Sequence, residues 1–187
     1  MSSRAEAWVG THLQNLPNTL DELSAFPQIY RRRIFAKLPA DVKSRLWRQQ
    51  LSEYLQHQPS TAAKREVLAK AIRELSPATF EKTPQARARL AGFCQEMART
   101  FSEDEKSILS MLGSREPTFI TWQSKQVLLL HKIRASLSVE AYTWPDCQCS
   151  VGSWCSCWSC HDYGCGRFDG CGCLWAYECN GFCDDKD

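Results

Sequence analysis

Cysteine is the residue type that offers chemistry in this 187-residue chain, because ten of its eleven cysteines lie between Cys147 and Cys183. This density far exceeds the roughly 8–10% that marks disulfide scaffolds. So short a segment buries too little apolar surface to fold unaided, whereas disulfides would restrict its unfolded state. An even number permits complete pairing, so we predict five disulfides within the segment and a free Cys94. The predicted disulfide-forming residues are Cys147, Cys149, Cys155, Cys157, Cys160, Cys165, Cys171, Cys173, Cys179 and Cys183.

The spacing of these cysteines does not determine their pairing. Ten cysteines allow about 945 pairings, by extension of the series for smaller sets. Cysteines two positions apart, such as Cys147 and Cys149, rarely bond each other because the ring between them would be strained. We therefore expect each partner to lie further along the chain.

Metal binding and thioether formation are the alternative chemistries. Cys-x-Cys occurs three times and Cys-x-x-Cys once, at Cys157 and Cys160. Thiolate clusters suit zinc or copper(I), but a zinc ribbon needs two Cys-x-x-Cys pairs. Thioether bridges need a serine or threonine for each cysteine, and the segment has four serines and no threonine. Disulfides are therefore favoured, and no metal or other cofactor is predicted.

The aromatic residues of the segment divide into two predicted groups. Cross-links fill the interior of a disulfide scaffold, so several rings would be exposed and able to bind a protein or a membrane interface. The target-binding candidates are Trp154, Trp158, Phe168 and Phe182. Trp175 and Tyr177 are predicted to pack together inside the module.

The residues before the segment predict the helices that carry it. Thr19 with Glu22, and Ser102 with Glu105, are spaced as capping boxes at helix starts. Apolar residues recur at helical spacing, most clearly from Asp41 to Leu55, and residues 118–137 are predicted as the last helix. The fold class is therefore mainly α, with an N-terminal multi-helix domain and a small disulfide-stapled module of little regular structure. We assign residues 1–138 to the helical domain, 139–146 to a linker and 147–183 to the module.

The net charge of +2 conceals opposite charges on the two parts. Residues 1–140 contain 21 Lys and Arg against 14 Asp and Glu, whereas residues 141–187 contain two basic and seven acidic residues. Opposite signs favour docking of the basic helical part on the acidic tail, although each sign alone also suits a solvated surface. The run from Arg31 to Arg33 is predicted as a solvated helix face, and no nucleic-acid partner is predicted.

The segment resembles the fulvocin C group of bacteriocins, which are small disulfide-bonded antibacterial peptides. The matching elements, in chain order, are Cys147-x-Cys149-Ser150, Trp154-Cys155, Cys160, Cys165, Gly170-Cys171-Gly172, Trp175, Tyr177 and Cys179-Asn180-Gly181. The match covers about a fifth of the chain. Cys157, Cys173 and Cys183 are additional or displaced relative to that group, which puts the bridge pattern in doubt.

This resemblance implies a ribosomally made bacteriocin precursor. Residues 1–138 would act as leader or carrier. The tail, residues 147–183, would be the active peptide and would recognise a component of the target cell surface. A processing protease and an exporter would be its other partners. We expect synthesis in the cytoplasm, since no signal-peptide pattern or membrane span is visible, and secretion of the mature tail. The alternative is an intracellular zinc-binding adaptor. No catalytic constellation appears, so the chain is not predicted to be an enzyme.

Overall fold

The computed structural model describes residues 2–113, 147, 149–151, 153, 160–162 and 164–183. We call residues 2–113 the helical region and the described residues from 147 to 183 the cysteine-rich region. The chain is mainly α, as predicted, with seven helices among the described residues. The helix predicted at 118–137 and the linker at 139–146 lie outside them. The helices are α1 (Ser2–Thr11), α2 (Leu20–Ser24), α3 (Gln28–Lys37), α4 (Ala40–His57), α5 (Ala62–Glu74), α6 (Pro84–Thr100) and α7 (Glu103–Leu109).

The helix starts follow local side-chain chemistry. Both predicted capping boxes are confirmed, with the Glu22 amide donating to Thr19 Oγ1 and the Glu105 amide donating to Ser102 Oγ. Each box satisfies amide groups that a helix start otherwise leaves unpaired. Prolines separate other helices, as Pro39 does between α3 and α4. Helix α1 ends at Thr11, and a short 3-10 turn, Leu13–Asn15, follows it.

The apolar faces of these helices surround a single core. Helix α4 is the central element, with Leu46, Trp47, Leu51 and Tyr54 buried along one side. Helix α5 packs against α4, and α6 packs against α5. Leu68 of α5 and Met97 of α6 are both fully buried in the same core. The same core also includes residues of the cysteine-rich region, namely Cys173, Leu174 and Trp175. The core of the helical region therefore depends on side chains from the cysteine-rich region.

The cysteine-rich region consists of two small antiparallel pairs of strands. The strands are β1 (Cys160–His161), β2 (Phe168–Cys171), β3 (Tyr177–Cys179) and β4 (Phe182–Cys183). Strand β1 pairs with β4, and β2 pairs with β3. A 3-10 turn, Cys173–Trp175, joins β2 to β3, and both Leu174 and Trp175 adopt positive φ angles, of 54° and 53°. This left-handed conformation is unfavourable for residues with a side chain, so packing must hold the turn in place.

Four disulfides connect the described cysteines. Three of them lie within the cysteine-rich region: Cys147–Cys165, Cys149–Cys160 and Cys171–Cys179. The fourth joins Cys94 of helix α6 to Cys173, across 79 positions of sequence. The prediction of a free Cys94 and of five disulfides confined to residues 147–183 is therefore wrong.

Candidate functional site at the junction of the two regions

The junction begins at the disulfide between Cys94 and Cys173. Helix α6 positions Cys94 on its buried side, where the residue is 7% exposed, and Cys173 is fully buried opposite it. The sequence around Cys94 is apolar and is typical of a small core residue, which is also what a buried half-cystine requires. The sequence indicates its burial but not its partner, because the partner lies on a distant element.

Trp175 places its indole in the core of the helical region. The residue is 3% exposed, and its ring meets Phe35 at 5.7 Å and Trp47 at 6.0 Å between centroids, both edge to face. Edge-to-face pairs add to the free energy gained from burying aromatic surface. Trp175 had been predicted to pack within the module, beside Tyr177. Its ring partners instead come from helices α3 and α4.

Strand β2 lies against helix α3 through the arginine run. The Arg33 guanidinium carbon is 3.4 Å from the centroid of the Phe168 ring, and Arg32 Nη1 donates to the sulfur of Cys171 at 3.4 Å. Arg32 and Arg33 are each 8% exposed, and Arg31 is half-buried and donates to the carbonyl of Leu112 at 2.9 Å. The prediction of a solvated arginine face is therefore wrong.

This arrangement has a signal in the sequence that could have revealed it. Three consecutive helical positions lie about 100° apart and span more than half of the helix circumference. Because Ile34 and Phe35 also belong to the core, the arginines cannot all face solvent. A guanidinium that is buried needs a planar or acceptor partner, and Phe168 and Cys171 supply these.

Gly170 permits the close approach of the strand to the helix. Its φ is +113°, and a Cβ at this position would lie 2.8 Å from the carbonyl oxygen of Arg32. Any larger residue would both strain the backbone and collide with the backbone of α3. A salt bridge of 2.9 Å between Lys82 Nζ and Asp169 Oδ2 extends the junction at the surface, where both side chains are at least half exposed.

A cleft of about 590 Å³ opens along the junction. The helical region contributes Lys43, Lys82 and Arg87 to its walls, and the cysteine-rich region contributes Asp169, Tyr177 and Glu178. Burial lowers the pKa of the Lys43 amine, which donates to the carbonyl of Ala36 at 3.0 Å. Burial also raises the pKa of the half-buried Tyr177 phenol.

The remaining target-binding candidates are only partly described. Trp154 and Trp158 lie outside the described residues. Phe182 is half-buried in β4, where its backbone pairs with His161. Phe168, predicted to be exposed, is 8% exposed because Arg33 stacks on its ring. In this structure, therefore, Phe168 does not offer its ring to an outside partner.

The described cysteines are not available as thiolate ligands for a metal. Seven of the ten predicted cysteines, together with Cys94, are in disulfides. The side chains of Cys155, Cys157 and Cys183 lie outside the description, and three residues cannot pair completely within one chain. Among the residues that the structure describes, no group of three or more His, Cys, Asp or Glu side chains is placed to hold a metal ion.

Comparisons of this chain with known proteins find no matching family model, no matching curated protein and no matching solved structure. Within the part of the chain that the structure describes, no helix combines the length and apolar character that a membrane crossing requires. The resemblance to the fulvocin C group therefore depends on the cysteine and aromatic pattern alone.

Proposed function

We propose that this chain is the precursor of a disulfide-bonded antibacterial protein of the fulvocin C type. Residues 147–183 are its active part, and residues 1–138 are a carrier that keeps this part inactive by covering it. The ordered pattern from Cys147 to Gly181 supports the antibacterial class. The disulfides among the described cysteines support a stapled peptide rather than a thiolate metal cluster.

The observation that best supports the carrier role is the burial of Phe168 and Trp175 against helix α3 and its neighbours. Aromatic side chains dominate the binding energy of many protein interfaces, so covering them removes part of a recognition surface. Charge supports the same arrangement, because Lys82 of the basic helical region pairs with Asp169 of the acidic tail. The acidity of the tail disfavours nonspecific attachment to anionic lipids, so we propose a specific component of the target cell surface as its partner.

A growth-inhibition assay on a panel of bacteria tests this proposal. The proteins are the oxidised full-length chain, the same chain cut at a protease site inserted between Val139 and Asp146, and a cut chain carrying Cys94→Ala and Cys173→Ala. Only the last can release a tail that retains the internal disulfides found among the described cysteines. We expect it to inhibit at least one strain and the intact chain to be much weaker.

Two results contradict the proposal. Equal potency of the oxidised and the fully reduced tail would exclude a stapled ligand, since reduction removes the constraint on the chain. Absence of inhibition of every strain, together with stoichiometric zinc in protein purified without chelator, would favour the intracellular adaptor instead.

A further inference from the structure

Apart from the peptide backbone, the disulfide Cys94–Cys173 connects the two regions covalently. Cys94 is the sole cysteine before residue 147. No other disulfide can therefore join residues 1–146 to the cysteine-rich tail within one molecule. The bond closes a loop whose ends are 79 positions apart, and this loop contains all of residues 114–146.

The noncovalent contacts hold the same two regions together. Trp175 lies two positions after Cys173 and fills a site between Phe35 and Trp47. On the other side of Cys173, strand β2 lies on α3, with Gly170 against the Arg32 carbonyl. The disulfide therefore lies between two packed contacts, and its sulfur atoms belong to the shared core.

We propose that cleavage within residues 114–146 produces a two-chain protein and not a free cysteine-rich peptide. The helical fragment remains the covalent partner of the tail, and a thiol reductant is needed to separate them. This inference deepens the proposed function and rests on it in one respect: it takes the tail as the part that acts after cleavage. It makes proteolysis necessary for release but not sufficient.

Separation follows ordinary thiol–disulfide exchange with a dithiol reductant. A thiolate of the reductant attacks the sulfur of Cys94 or Cys173, forms a mixed disulfide and expels the other cysteine as a thiolate. The second thiol of the reductant then displaces the protein sulfur, so the reductant becomes a disulfide and the protein gains two electrons. Each cysteine thiolate takes up a proton according to its pKa.

Burial protects the Cys94–Cys173 disulfide from reductants more than it protects the disulfides formed by Cys160 and Cys165. Cys94 is 7% exposed and Cys173 is not exposed, whereas Cys160 and Cys165 are half-buried members of their own disulfides. Exchange requires in-line access to a sulfur atom, so the reductant reaches the inter-region bond only after the junction opens. The two-chain protein is therefore expected to persist in an oxidising medium.

The experiment uses the full chain with a site for a sequence-specific protease inserted between Val139 and Asp146. The oxidised protein is cut, free thiols are blocked, and the product is denatured and run on gels with and without dithiothreitol. We expect one species without reductant and two with it. Two fragments in the absence of reductant would overturn the proposal.

Two variants provide the matched comparison, and denaturation makes the result independent of their stability. Cutting the Cys94→Ala, Cys173→Ala protein should release two fragments without reductant. Cutting the Cys149→Ala, Cys160→Ala protein, which lacks a disulfide internal to the tail, should still give one species. A joined product from the first variant or separated fragments from the second would each overturn the proposal.

The same samples separate this inference from the proposed function. The gel reports the link between the fragments, and the growth assay reports antibacterial activity. A joined product that inhibits no strain in any form would support the disulfide link and contradict the antibacterial proposal. Fragments that separate without reductant, one of them inhibitory, would contradict the disulfide link and support the antibacterial proposal.

Discussion

The two regions of this protein are stabilised in different ways, although they share one core. The helical region buries apolar side chains from all seven of its described helices, including Leu23, Trp47, Leu68 and Met97. The cysteine-rich region has a small interior of its own, formed by Phe168 and the half-cystines Cys147, Cys171 and Cys179. Its largest buried side chain, Trp175, lies in the other region's core. A segment with so little interior depends on cross-links and on its neighbour.

The comparison shows that cysteine density does not by itself make a segment an independent module. Internal disulfides fix the shape of the tail, whereas Cys94–Cys173 and Trp175 fix its position on the helices.

Removing the inter-region disulfide should have the largest effect. The Cys94→Ala, Cys173→Ala protein should lose about 4–5 kcal/mol of unfolding free energy, because the bond closes a long loop and restricts the unfolded chain. Equilibrium urea denaturation, followed by tryptophan fluorescence and by far-ultraviolet circular dichroism, measures the loss. The Cys149→Ala, Cys160→Ala protein is the control and should lose less, since its loop spans 11 positions. An equal loss in both would show that loop closure is not the cause.

Replacing Trp175 by Ala should destabilise the helical region itself. The change leaves a cavity beside Phe35 and Trp47, and truncations of this kind cost about 3 kcal/mol or more. The helical circular dichroism signal should therefore melt earlier in urea. Phe182→Ala, in the strand pair β1–β4, is the control because this half-buried residue is not part of the helical core, and it should leave that transition within about 1 kcal/mol. A helical transition unchanged by Trp175→Ala would mean that the helices do not need the tail.

Gly170→Ala should loosen the contact between β2 and α3. A methyl group there meets the Arg32 carbonyl oxygen and also strains a backbone with positive φ, so we expect a loss of about 2 kcal/mol. Gly164→Ala is a matched control, because its φ is +68° but nothing lies within 4 Å of the added Cβ. Its loss should be about 1 kcal/mol, from strain alone. Thermal unfolding of both variants measures the difference, which should disappear if β2 does not lie on α3.

The smallest effect concerns the helical region alone. The hydrogen bond from Lys64 and the Ser102 cap hold the pKa of Glu105 below its usual value. Its charge therefore stabilises the folded protein above about pH 4.5, and this contribution is lost as the pH falls through the lowered pKa. Glu105→Gln should cost about 0.5 kcal/mol at pH 7 and less once the pH has fallen through the lowered pKa. Urea titrations at pH 7 and at successively lower pH values measure this cost, and a cost that does not depend on pH would show that the charge is not its cause.

The helical region was largely predictable because its signals are local. Thr19 with Glu22 and Ser102 with Glu105 define helix starts within four residues. The amphipathic spacing along α4 identifies the side that becomes buried. These features depend on neighbouring positions in the chain, which the sequence displays directly.

Apart from the burial of the arginine run, the junction was not predictable because its contacts join distant positions. A half-cystine in a core and a free thiol in a core occupy the same apolar helical pattern, so the sequence around Cys94 did not distinguish them. The even number of cysteines from Cys147 to Cys183 permits complete pairing among themselves, and this pattern predicts a free Cys94. Phe168 resembled an exposed ring because its partner, Arg33, lies 135 positions earlier.

The distance between Cys94 and Cys173 also determines an order of events during synthesis. At about 5–20 residues per second, the ribosome adds Cys173 roughly 4–16 s after Cys94. Helices form far faster than this, so most of the helical region can fold before Trp175 exists. We expect it to act as a template: the incoming indole docks between Phe35 and Trp47 and presents Cys173, among ten candidates, to Cys94. Refolding and oxidising the Trp175→Ala chain should then scatter the partners of Cys94 over several cysteines, which peptide mapping by mass spectrometry would reveal.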